Sequence, residues 1–105
     1  MIKLISDFVK ARNKTRRLHK CLKCIVKEIK VNGGEPRLLQ GKGSLGLEDI
    51  MRVFVHMRDE HKMRREGQVV VYRGSSNAPD MKIDNREAVR CFSDLMMEAR
   101  RQHYI

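Results

Sequence analysis

Cys24-Ile25-Val26-Lys27-Glu28-Ile29-Lys30-Val31 runs directly into Asn32-Gly33-Gly34, and how this stretch is read decides the fold. Ile25, Val26, Ile29 and Val31 are β-branched and turn formers follow at once, the pattern of a strand closed by a tight turn. The same residues also admit a helix. Ile25 and Ile29 would prolong the apolar stripe of the segment before them, with Asn32-Gly33-Gly34 as the C-cap. The strand is the preferred reading, on the density of β-branched side chains.

Upstream, Leu4, Phe8, Ala11, Thr15, Leu18 and Leu22 recur at spacings of four and three, which predicts a helix over 1–22 with one apolar stripe. Lys3, Lys10, Lys14, Arg17 and Lys20 fall on its other faces. Ten of the first thirty-one residues are Lys or Arg, against only Asp7 and Glu28, so most of the formal net charge of +10 sits at one end. Such a field opposes its own compaction and is most simply explained by a polyanionic partner. Phosphate neutralisation with counterion release would give salt-sensitive binding with little sequence choice.

Downstream, residues 32–46 form a Gly-rich connection with room for a short helical turn at Pro36 to Gln40. A second helix is predicted over 47–66, with Glu48 and Asp49 favouring its positive N-terminus and Leu47, Ile50, Met51, Phe54 and Met57 on its apolar face. Strands are predicted at 68–73 and 81–83, paired as a hairpin. The last helix is expected to start at Asp84, with Glu87 completing a capping box and Ala88, Phe92, Leu95 and Ala99 as its buried stripe. The expected fold is therefore α+β in one domain, 1–105. A basic helix over 1–22 precedes a core over 23–105, in which a small three-stranded sheet packs against helices.

The chain has 105 residues, 41% of them hydrophobic, with five aromatics and no Trp, enough for one modest core. No run of eighteen apolar residues occurs, so no membrane span is expected. The first seven residues lack the continuous apolar run of a secretory signal. Three cysteines, an odd number, argue against a disulfide scaffold and point to a reducing compartment, cytosolic or nuclear.

Gly41-Lys42-Gly43-Ser44-Leu45-Gly46 matches G-x-G-x-x-G, but a dinucleotide fold needs a preceding strand and far more chain. Small residues ahead of a helix N-terminus can still offer backbone N–H groups to an anion, with Lys42 adding a point charge. With Leu47 and Ile50 after it, Gly41-Lys42-Gly43-Ser44 resembles the glycine loop of the KH (K-homology) family of RNA-binding domains. The predicted order over about 24–101, and the ending from Met81 to Val89, are similar to that family too. The resemblance implies a loop that grips the backbone of about four nucleotides. Ser44 stands where the family has Gly, and the predicted second helix is about twice the family's length. A second similarity is to the small subunits of the signal recognition particle's Alu domain, which also bind RNA.

The expected nucleic-acid contacts are Lys10, Arg12, Lys14, Arg16, Arg17 and Lys20 on the first helix, with Gly41, Lys42, Gly43 and Ser44 in the loop. RNA is the expected partner, in a ribonucleoprotein component or accessory factor. DNA is the alternative, read by the 47–66 helix with the hairpin as a wing. A further alternative is a homodimer or adaptor docking on an acidic partner through Leu4, Phe8, Ala11 and Leu18. Cys21 and Cys24 form C-x-x-C, but the gap to His56 departs from zinc-finger spacing, and a redox role would need a βαβ context the chain lacks. His56 to Arg65 reads as a solvated helical face laced by local ion pairs. Tyr72 falls in a core strand and Tyr104 in the tail, so neither is expected to stack on bases. No nucleophile or acid–base motif stands out, so neither an enzyme nor a cofactor is expected.

Overall fold

The computed structural model describes residues 2–34, 45–75 and 77–105, with side chains from Val9 onward. Its first helix, α1 (Ile2–Val31), passes straight through the stretch read as a strand. Helical spacing decides the matter. Leu18, Cys21, Leu22, Ile25, Val26 and Ile29 share one face, and all six are buried. A strand would have turned alternate residues of that set to solvent. Burial on a continuous stripe outweighs the modest helix penalty of β-branched side chains.

The end of α1 is a Schellman motif. Gly34 N–H donates to Ile29 C=O at 2.8 Å and Gly33 N–H to Lys30 C=O at 3.1 Å. Gly33 takes φ +93, a conformation that glycine adopts without steric cost. The division drawn after residue 22 therefore falls inside a helix. The KH-like order departs at its first strand, and Gly41 to Ser44, with the short turn at 36–40, lie outside the described residues.

The second helix, α2 (Leu47–Glu60), stops six residues short of its expected end. Lys62 adopts φ +50, Met63 N–H donates back to Arg58 C=O at 3.0 Å, and the chain reverses. Arg64, Arg65 and Glu66, all good helix formers, are captured instead as β1 (Arg64–Glu66), paired antiparallel with β2 (Val69–Arg73). Only Gly67 and Gln68 join the two strands. Gly67 supplies the positive φ, +63, that the first position of such a two-residue turn requires.

β2 also pairs antiparallel with β3 (Asp80–Ile83), giving a meander in the order β1-β2-β3. The last helix, α3 (Arg86–Arg101), begins two residues later than its expected start. Its cap is Asn85, not Asp84: the Asn85 side chain accepts from Ala88 N–H at 3.1 Å. α3 ends as the other helices do, with His103 at φ +63 and Tyr104 N–H donating to Ala99 C=O.

The fold is α+β, with the three helices and one face of the sheet enclosing a single core. Leu22, Ile25 and Ile29 of α1 meet Phe54 and Met57 of α2, Phe92 and Leu95 of α3, and Val70, Tyr72 and Ile83 of the sheet. Phe54 and Phe92 meet edge to face, with ring centroids 5.6 Å apart. No helix among the described residues is long and apolar enough to cross a membrane.

Candidate nucleic-acid interface

Because α1 continues to Val31, its cations fall into a register that a helix ending near residue 22 could not have. Arg12, Arg16, Lys20, Lys23, Lys27 and Lys30 follow one another at spacings of four, four, three, four and three, and all six are exposed. At 3.6 residues per turn they share roughly 80° of arc and run for about 27 Å along the helix. The core-facing stripe lies on the opposite side, so burial of one face aims the other at solvent. Glu28 is the only carboxylate between Val9 and Val31; it lies off this arc and accepts from Asn85 Nδ2 at 3.2 Å.

The sequence-predicted contacts separate by position. Arg12, Arg16 and Lys20 lie within the stripe. Lys10 and Arg17 are exposed on an adjoining face, roughly a third of a turn round. Lys14 turns toward α3, where its Nζ meets Glu98 Oε1 at 2.7 Å. Lys23, Lys27 and Lys30 were missed, since the strand reading removed them from the helix. Their signal was present in the i, i+3 and i+4 spacing from Lys20 onward.

Glu98 is 7% exposed and closely partnered. Besides Lys14, it accepts from Arg101 and from Gln102 Nε2 at 3.0 Å. Burial alone would disfavour its charge, but the hydrogen bonds from Arg101, Lys14 and Gln102 outweigh it and hold the carboxyl down to about 2. Lys14 therefore belongs to the attachment of α1 to α3. Leu18 is likewise committed to the core, at 1% exposure, and is not available for the docking stripe expected of it; Ala11 is exposed.

The outward face of α2 has the opposite sign. Glu48, Asp49, Asp59 and Glu60 are exposed there, and Arg52, also exposed, pairs with Glu48. A helix with that balance repels phosphate, which weighs against its use as a DNA-reading helix. His56 lies 3.6 Å from Glu60 on the same exposed face. His61 is buried, with Nδ1 3.1 Å from Arg73 C=O. Arg64 and Arg65 sit on β1, not in the helix terminus expected for them.

Cys21 and Cys91 are buried at the α1–α3 contact and Cys24 is half-buried; all three are free. Burial pushes the Cys24 thiol up to about 11 and the Cys91 thiol up to about 12, so both stay protonated at neutral pH. Among the described residues, no three His, Cys, Asp or Glu side chains converge to hold a metal ion. Tyr72 is fully buried in the core. Its hydroxyl, which has no hydrogen-bond partner among the described residues, cannot meet a base. Tyr104 is half-buried and packs against the core. No family model, curated protein or solved structure matches the chain.

Proposed function

We propose that the protein binds nucleic acid, RNA foremost, through the outward face of α1, as a component or accessory of a ribonucleoprotein. The single observation that carries this reading is the alignment of Arg12, Arg16, Lys20, Lys23, Lys27 and Lys30 on one exposed face. Six cations over about 27 Å of rigid helix form a track for phosphates. Contacts of cations with phosphates position a strand without selecting its sequence. The glycine-loop resemblance puts RNA ahead of DNA.

The test is a filter-binding series with single-stranded RNA, duplex RNA and duplex DNA at 50 and 200 mM salt. The Lys23→Glu/Lys27→Glu double variant is measured beside the wild type. Binding should be tightest to one of the RNAs, and the variant should lose at least tenfold in affinity at low salt. If the variant binds every polynucleotide as the wild type does, the assignment to α1 fails. If duplex DNA wins the competition, the partner class is wrong and the phosphate track stands.

A further inference from the structure

A second cationic surface lies on the opposite flank of α3, away from its contact with α1. Between β1 and α3 runs an open groove of about 600 Å³, and a shallower one of about 310 Å³ continues it toward the start of α3. Arg65 and Ser93 line both, joined by a 2.7 Å hydrogen bond from Arg65 Nη1 to Ser93 Oγ. Arginines dominate the rim, beside Gln68: Arg58, Arg64, Arg65 and Arg100 around the larger groove, Arg86 and Arg90 beside the smaller. Arg58 pairs with Asp59, and Arg64 with Glu66 and Asp80, whereas Arg86, Arg90 and Arg100 have no ion pair among the described residues and are the cations open to a ligand. No carboxylate is among the described residues lining either groove. Along α3, Arg86 to Arg100 covers about 21 Å, nearly four helical turns.

The floor has a different character. It is made of Met63, Phe92, Met96 and Met97, of which Met97 is 67% exposed although strongly apolar. Thioether side chains adapt to irregular apolar partners and are favoured at surfaces that receive them. An apolar, pliable floor under a rim of guanidinium forks suits a ligand with apolar anchors on one side and carboxylates on both flanks. A sugar-phosphate backbone would use the arginine rim and leave the methionine floor without an apolar partner.

We infer that the β1–α3 groove docks an acidic amphipathic helix of a partner protein, its apolar face on the methionine floor and its carboxylates on the arginine rim. The inference is independent of the nucleic-acid reading, since α1 contributes nothing to the groove. Charge complementarity selects the occupant. A second copy of this chain, at net +10, is a poor one.

The test uses the full chain and a fluorescein-labelled sixteen-residue peptide, with Leu at i, i+4, i+7 and i+11 and Glu flanking them. Its scrambled counterpart keeps the composition and loses the apolar face, and oligouridylate serves as competitor. Anisotropy should show the ordered peptide binding at least tenfold tighter than the scrambled one. Met97→Glu and Arg90→Glu/Arg100→Glu, both at exposed positions and checked for native circular dichroism, should each weaken it at least tenfold. Arg16→Glu/Lys20→Glu, which removes the same charge as the arginine double variant but away from the groove, should weaken it less than threefold. Equal binding of the two peptides, or full affinity in both groove variants, would overturn the proposal. So would oligouridylate displacing the peptide from the wild type and the α1 variant alike, because the groove would then be a nucleic-acid seat.

Discussion

Glu98 ties α1 to the end of α3 by accepting from Lys14 and Arg101 at once, beside the apolar contacts of the same helix. Its carboxyl is held down to about 2, against an ordinary value of 4.5. A depressed folded value means that its contribution is fully present above about pH 4.5 and is lost as pH falls toward about 2. Glu98→Gln is expected to cost about 1–3 kcal/mol at pH 7, by removing the charge that Lys14 and Arg101 share and turning one of the two accepting oxygens into a donor that faces other donors. The difference from wild type should shrink when urea unfolding is repeated at pH 3; an equal difference at both pH values would contradict the assignment. Lys62 offers a second test at this scale, since a β-carbon at φ +50 is strained where glycine is not. Lys62→Gly is expected to raise stability by about 0.5–1 kcal/mol, and Gly33→Ala, at φ +93, to lower it by about 1 kcal/mol, both read as shifts in denaturant midpoint.

Among the elements, α1 carries both the packing and the proposed function, and its continuity is directly testable. In a helix, proline at position 27 removes the bond to Lys23 C=O and clashes with that carbonyl, at a cost of about 3 kcal/mol or more. An edge strand would accept the same residue with little loss. Lys27→Pro should therefore lower the melting temperature by well over 10 °C and reduce the helical signal in far-ultraviolet circular dichroism. A variant that melts near wild type would mean that 24–31 is not helical. The sequence of this stretch admits both a strand and a helix, and Asn32-Gly33-Gly34 is the C-cap that the helix requires. Local β propensity tipped the choice to the wrong side, because it ignores which face the rest of the chain will cover. α2 was over-extended for the converse reason: Arg64, Arg65 and Glu66 favour a helix locally, and pairing with β2 overrides them.

As a whole the molecule is electrostatically polarised, with a positive track along α1, an arginine-rimmed groove beside α3 and an acidic face on α2. If all six stripe cations meet phosphates of a single strand, the logarithm of affinity should fall with the logarithm of salt with a slope of about −4. Lys23→Glu/Lys27→Glu should flatten that slope by about 1.4, measured across a salt titration. A variant weakened with its slope intact would place the lost affinity in structure, not in phosphate contacts. Charge segregation of this kind also raises encounter rates with polyanions, an effect that fades with salt as the screening length shrinks to about 10 Å at 0.1 M.

Composition and periodicity alone determined the α+β class, the hairpin of β2 and β3, the buried stripe of α3 and the cationic character of the first thirty residues. These follow from interactions short in sequence, which each segment carries with it. The tertiary structure decided where α1 ends, which cations share its outward face, that Lys14 is bound to Glu98, and that β1 exists. It alone brought Arg65 beside Ser93, 28 residues on, and so made the groove. Those outcomes depend on surfaces contributed by distant parts of the chain, and a segment's own preferences, worth tenths of a kcal/mol per residue, yield to them.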